Sequence, residues 1–514
     1  MVRVPLLLLS LAVGFSPTSA FSPGSAAVRA VPGALLSPLP SPSAPRRRHV
    51  SLRANPSTTY VNSLSRPPPQ DDGCPMTPYF GAAALTAFDV LLRRTFRSLG
   101  IAFPSSLAGC GFLLFALLAG DLFSPDPGYE MVGGKPVPIG ERGRWGNKVY
   151  RLLDPGAVLL ARWLPIFFVP SLVTLPLAEP LGGALEAAKV GIVVAGGFLF
   201  SLLTTSWCVA AVRPKGQKTA SPPSKSAGGA PPPPFSAGLL GLLVRLTALG
   251  GAADLLAGVV NAGLRAPARY VYLLCGTLAS FVYGARLPPK ITKALHPLVV
   301  CTLLSWTGVA ALGKLTGSSF RATLAGYRTG SWTTGPGDLL LFLLGPAVIS
   351  LALQMYGRRE LVRQNAREVA AGVTGSAAGG LFGTAFLVRL LRMTGAPGVR
   401  LALLSRNITS PLAMAIAGML GADVGMAVSF VVVSGLLGAN FGASILDRCG
   451  IKDPVARGLG IGAAAHGLGT AAFTGEKDAF PFAAIAMALT ASFSTVLVSI
   501  PAVRGALVRL ALGA

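Results

Sequence analysis

From residue 79 to near its C-terminus the chain repeats one pattern: a stretch of about 20 mostly apolar residues, closed by Arg, Gly or Pro. A helix of that length spans the ~30 Å of hydrocarbon in a bilayer. Soluble domains carry about 25% charged residues. Here the charged share is 12% and the hydrophobic share 52%. The pattern predicts an all-α, polytopic membrane protein of about 12 transmembrane helices.

Four spans are expected near 79–96, 105–123, 156–177 and 186–211. The basic, Pro/Ser/Gly-rich stretch 212–235 then reads as a solvated linker that buries no core. Beyond it, spans are expected near 236–262, 269–287, 292–314, 336–356, 366–392, 400–420, 423–446 and 456–512. The last region holds two segments parted around "TGEKDAFP". The chain thus divides into a membrane block at 79–211 and a larger one at 236–514. The 63 glycines fit close helix packing in lipid.

The formal net charge of +25 does not point to nucleic acid. Its carriers stand at the ends of apolar runs, as Arg93, Arg94 and Arg97 or Arg286, Lys290 and Lys293 do, where loop charge sets topology. The partners implied are the lipid bilayer and a small solute. The six cysteines share no metal-ligand spacing and read as small core residues. No metal and no cofactor is called for. "GLGTAA" matches a dinucleotide pattern, but an Ala-rich helix precedes it where that pattern needs a strand.

The first 20 residues read as a signal peptide: Arg3, an apolar core from Val4 to Phe15, and small residues ending at Ala20. Residues 21–70 read as a plastid transit peptide, since the first 70 residues hold seven Arg and no Asp or Glu. The join at "TSAFSP", with Phe21 first, resembles the bipartite presequence of secondary, red-lineage plastids. The alternative is an ordinary secreted or endomembrane protein with a disordered N-terminus.

Polar groups inside apolar spans are costly and mark candidate sites. "LLSRNITSPLAMAIAG" carries Arg406, Asn407, Thr409 and Ser410 ahead of Pro411. Pro411 should break a helix near Ser410 and restart it as first residue, with Thr409 or Ser410 as N-cap. A helix N-terminus in mid-membrane beside Arg406 is an anion site suited to a carboxylate. The alternative is a re-entrant turn whose Arg snorkels to a headgroup.

In "KDPVARGLGIGAAAHGLGT", Asp453 is the expected N-cap and Pro454 the first helical residue. His466 and Thr470 would share a helix face, while Gly467 and Gly469 weaken the helix just after His466. Two interrupted segments in one membrane domain point to a transporter site. His466 would then meet a substrate oxygen or a coupling proton; otherwise it is a buried neutral histidine on a carbonyl. Asp338 reads as an N-cap at the membrane surface, or else a cation- or proton-linked carboxylate. Gly345-Pro346 suggests a kink or a third irregular element. Asn440 reads as a buried amide that faces the same cavity or bridges helices.

"NITSPLAMAIAGMLG", "IKDPVARGLGIGAAAHGLGTA" and "GEKDAFPFAAIAMALTASFSTVLVSIPAV" resemble the LrgB/CidB family. "LGIAFPSSLAGCGFLLFALLAG" and "RWLPIFFVPSLVTLPL" resemble its partner family LrgA. Their fusion behind a plastid presequence resembles the plastidal glycolate/glycerate translocators. The resemblance implies a carrier of the inner plastid envelope, not an enzyme, that exports glycolate and imports glycerate. It makes 79–211 LrgA-like and 236–514 the LrgB-like transport domain. A rival reading is a holin-like pore or regulator of murein hydrolases, which acts as a homo-oligomer; another is a carrier of a different small monocarboxylate.

Overall fold

The computed structural model describes residues 77–513 except 102, 124–128, 133–134, 139–143, 179, 215–234, 261, 289–290 and 293–294. The expected signal and transit segments, most of the expected linker, Lys290 and Lys293 lie outside the described residues. All described residues belong to one compact unit.

The chain is an all-α polytopic membrane protein. Nine helices among the described residues are long and apolar enough to cross a membrane. In chain order the helices are α1 (Thr77–Ser98), α2 (Ser105–Leu122), α3 (Trp145–Phe167), α4 (Ala184–Val212) and α5 (Ala237–Val260). Then come α6 (Arg265–Ala285), α7 (Pro297–Thr316), α8 (Pro336–Tyr356) and α9 (Ala366–Leu390). The rest are α10 (Pro397–Ala402), α11 (Ser410–Leu420), α12 (Val424–Arg448), α13 (Pro454–Ala472), α14 (Phe480–Ser499) and α15 (Pro501–Leu512). One small antiparallel pair, β1 (Tyr129–Val132) and β2 (Lys135–Pro138), joins α2 to α3.

The blocks on either side of the linker interleave. Helices α1, α2 and α3 pack on α8 of the second block, while α4 packs on α9, α12 and α13. Phe235, at the end of the linker, sits 4.6 Å from the Trp163 ring and 5.9 Å from the Phe281 ring.

Helix α8 runs through Gly345-Pro346 as one helix, with Pro346 in its interior. A proline in a helix leaves the carbonyl four residues earlier unpaired. That carbonyl belongs to Phe342, and Arg93 Nη2 of α1 donates to it at 3.1 Å. Arg93 Nε lies 2.7 Å from Asp89, which is fully buried, and Ser106 Oγ donates to Asp89 at 2.8 Å. One guanidinium thus repairs a proline defect and neutralises a buried carboxylate.

Of the expected spans, α1 and α6 are not among those nine helices, and two others fold back on themselves. In the first, α10, a 3₁₀ turn (Leu403–Ser405) and α11 form a re-entrant hairpin. Its two ends meet again where Asp423 N–H donates to the Gly398 carbonyl at 3.1 Å. The 11 residues of α11 reach only about 16 Å, half the hydrocarbon thickness.

The second hairpin lies within α13, whose backbone reverses at His466 (φ 42°, ψ −136°). A Cβ on Gly469 would lie 3.1 Å from Ile461 Cγ1, eight residues earlier. In a continuous helix those residues would stand about 12 Å apart. Arg457 closes the base with two bonds to Glu476, at 2.7 and 2.6 Å. Composition alone does not distinguish such a hairpin from a span, which is why 400–420 and the start of 456–512 read as crossings.

Helix α12 fixes the relation between the two. It begins beside Asp423, at the base of the first hairpin, and ends beside Asp447, which Arg457 holds at 2.6 Å at the base of the second. Its 25 residues are about 37 Å long, so the hairpins enter from opposite ends of the bundle. Helix α9 is followed by the first hairpin and α12 by the second, a helix-then-hairpin order seen twice, with the hairpins entering from opposite ends as in the inverted-repeat plan of many secondary transporters.

Arg93→Ala is expected to destabilise the protein by about 3 kcal/mol, because it strands a buried carboxylate and a carbonyl. Pro346→Ala in that background restores an N–H for Phe342 and should recover part of the loss. Thermal unfolding in detergent checks both; an unchanged midpoint for Arg93→Ala contradicts the reading.

Candidate functional site

The two hairpin tips meet in the middle of the bundle. Asn407 Nδ2 at the first tip donates to the Ala463 carbonyl, on the arm leading to the second, at 3.4 Å. Ser376 Oγ of α9 donates to the same carbonyl at 3.5 Å.

Pro411 removes an N–H and forces Ser410 out of a preceding helix, so α11 starts afresh here. Thr409 is its N-cap, and Ser410 and Pro411 are its first two residues, one position earlier than the proline rule implied. Thr409 Oγ1 makes no cap bond and is buried without a protein partner. The helix N-terminus therefore keeps an uncapped, partly positive end inside the bundle.

Arg406 stands just before that end and is 0% exposed. Its Nη2 donates to Ser201 Oγ of α4 at 3.3 Å, while Nε and Nη1 have no protein partner. Among the described residues no carboxylate lies within ion-pair distance of it. Asn407 Oδ1 is likewise buried and unpartnered. Two positively polarised features, the guanidinium and the helix N-terminus, thus converge with two bare oxygens, with no anion supplied by the described residues. The structure has the re-entrant turn of the alternative reading, with Arg406 buried inside the protein and not extended to the surface.

Helix α4 makes room for this. A Cβ at Gly197 would overlap the Arg406 guanidinium, so glycine here lets the guanidinium lie directly against α4. Gly197, Ser201 and Thr205 follow at intervals of four, on one helix face, and Thr205 Oγ1 is also buried and unpartnered. None of these was singled out in the sequence. Their only signal was a small and polar residue at helical spacing in an otherwise ordinary span.

At the second tip His466 is buried, and its positive φ is a conformation that non-glycine residues hold only under strain. Its Nε2 lies 2.8 Å from the Val431 carbonyl of α12. A carbonyl only accepts, so Nε2 carries the proton and Nδ1 is the remaining nitrogen. A Cβ on Gly435 would sit 2.7 Å from His466 Cε1. Ser434, beside it, has a buried and unpartnered Oγ.

The other expected residues fall out differently. Thr470 does not share a face with His466, because the chain reverses between them; its Oγ1 donates to the Ala483 carbonyl on α14 at 3.4 Å. Gly467 and Gly469 lie on the returning arm, against Met487 and Ile461. The break is at His466 itself. Asp338 is not the N-cap of α8; Gly335 is. Asp338 instead ties down the preceding turn, accepting from Thr329 N–H at 2.7 Å and Gly330 N–H at 2.8 Å. Asn440 is exposed, with Nδ2 on its own helix's Leu436 carbonyl at 2.9 Å, because it shares the outward face of α12 with exposed Val433 and Phe441.

The LrgB-like family model matches residues 277–503, which contain both hairpins. The protein named plastidal glycolate/glycerate translocator 1, chloroplastic, of Arabidopsis thaliana is 35% identical over 435 residues, or 82% of this chain and 78% of that one. The chain belongs to the LrgB-like family. The holin-like protein CidB of Staphylococcus aureus is 27% identical over 227 residues, covering 44% of this chain and 92% of its own. No solved structure matches. Helix α4, with Gly197 and Ser201, lies before the residues matched by the LrgB-like model, so the site draws on both blocks.

Gly197→Ala is expected to lower stability by about 1–3 kcal/mol, since it drives a methyl into Arg406. Gly191→Ala, on the same helix where a Cβ meets nothing within 4 Å, should be neutral or stabilising by up to about 1 kcal/mol. Thermal unfolding of the two variants separates packing at the site from helix propensity; equal shifts would contradict it.

Proposed function

We propose that the protein is a carrier of small 2-hydroxycarboxylates, with glycolate and glycerate as its substrates, in the inner envelope of a plastid. The observation that carries this reading is the buried Arg406, with two nitrogens unpartnered and no carboxylate of the described residues within ion-pair distance. An uncompensated buried charge costs several kcal/mol. A carboxylate between the guanidinium and the N-terminus of α11 offsets that cost with charge-assisted hydrogen bonds. Asn407 Oδ1 and Thr409 Oγ1 are placed to accept from a 2-hydroxyl. The name of the Arabidopsis relative supports both the substrate class and the chloroplast. The acid-free, Arg- and Ser-rich first 70 residues support plastid import, and the signal-peptide pattern of the first 20 of them supports a secondary plastid.

The inverted hairpins supply the mechanism. Each tip closes the site toward its own end of the bundle, so outward movement of one hairpin opens the site to one side only. The substrate's negative charge holds the tips together around Arg406 and makes the closed state accessible when loaded. His466 Nε2–H is committed to Val431, so any coupling proton goes to Nδ1.

Purified protein in liposomes preloaded with glycerate should take up labelled glycolate saturably, with unlabelled glycerate competing. Arg406→Ala should lower uptake about 100-fold, the equivalent of losing one buried charge-assisted contact. Uptake unchanged in that variant contradicts the site. Non-saturable flux of unrelated solutes contradicts the carrier and favours a pore, the reading attached to the holin-like relative.

A further inference from the structure

A second basic feature lies away from the hairpin tips. A cavity of about 440 Å³ opens between α2, α8, the short helix Arg359–Gln364, α9 and α14. Arg144, Arg358, Arg359 and Arg363 line it against only two carboxylates, Asp121 and Glu360. Those carboxylates are engaged: Asp121 takes the Tyr356 hydroxyl and Arg359 Nη2, and Glu360 Oε1 accepts from Gln364 at 2.9 Å. Arg144, Arg358 and Arg363 have no carboxylate of the described residues within ion-pair distance.

The cavity's height in the bilayer follows from the helix ends around it. The spanning helix ending at Leu122, the one starting at Trp145, the one ending at Tyr356 and the one starting at Ala366 all terminate here. The arginines therefore stand at the boundary between hydrocarbon and headgroups. The opposite wall is apolar, formed by Leu114, Leu118 and Leu122 of α2 and Leu489 of α14. It continues onto the outer face of α2, where Phe115 is 70% and Leu122 78% exposed.

We propose that this cavity binds an anionic bilayer lipid. Its phosphate would be gripped by Arg358 and Arg363, with Arg144 closing over it, and an acyl chain would lie along α2. Guanidinium forks match phosphate oxygens bidentately, and basic pockets between membrane helices are a known setting for anionic headgroups. A free anion would satisfy the arginines but leave the apolar wall without purpose. The lipid bridges α2 of the first block to α9 and α14 of the second. It thus braces the two blocks without touching the hairpin tips.

The test uses the full-length purified protein in neutral detergent. Addition of phosphatidylglycerol should raise the thermal midpoint by roughly 4 °C or more. Phosphatidylcholine should not, nor should inorganic phosphate reproduce that shift. Arg358→Gln/Arg363→Gln should abolish the phosphatidylglycerol shift, and native mass spectrometry should show loss of bound lipid. Arg144→Gln, at the N-cap position just before α3, is the second variant if the double variant does not fold. Three results overturn the proposal: no shift with phosphatidylglycerol in the unaltered protein, the same shift in both variants, or an equal shift with inorganic phosphate.

Discussion

The guanidinium of Arg406 is held in the middle of the bundle with less hydrogen bonding than it needs, and much of the surrounding architecture exists to keep it there. Gly197 clears space for it, Ser201 takes one of its nitrogens, and the 3₁₀ turn before it ends the first arm of a hairpin. In a low-dielectric interior such a group is stable only if its neighbours are fixed. The hairpin bases, Asp423 on Gly398 and Arg457 on Glu476, provide that fixation from opposite ends.

Electrostatics and topology are therefore one design. Either hairpin alone would bring a polar tip into hydrocarbon, where unsatisfied backbone is not tolerated. Tip against tip, each covers the other, and Asn407 and Ser376 share the Ala463 carbonyl at the junction. The strained backbone of His466 is the sharpest turn in this junction, and its ring anchors that turn to α12. The first block is not an accessory, because its last helix supplies one wall of the site.

Much of this was legible in the sequence, and the limits have physical causes. Apolar length gave the spans, and burial cost pointed to Arg406, Asn407, Thr409, Ser410 and His466. What apolar length does not encode is direction. Residues 400–420 are as apolar as a crossing helix, and only the Asp423–Gly398 contact reveals their return. Thr470 was paired with His466 by the arithmetic of an unbroken helix, and the break at His466 removes it. Asn440 looked buried because a sequence does not state which face of α12 meets its neighbours. Gly197 and Ser201 were invisible because their meaning comes from Arg406, two hundred residues away across the linker.

The central claim is that Arg406 is a destabilising charge awaiting a carboxylate, and thermal unfolding of Arg406→Met beside the unaltered protein tests it most directly. Without ligand, the variant should melt as high or higher, since exchange of a buried charge for an apolar side chain of similar size is neutral or stabilising by about 1–4 kcal/mol. Glycolate should raise the midpoint of the unaltered protein and leave the variant's where it was. A variant that melts several degrees lower, or that glycolate stabilises as much as the unaltered protein, would contradict the account.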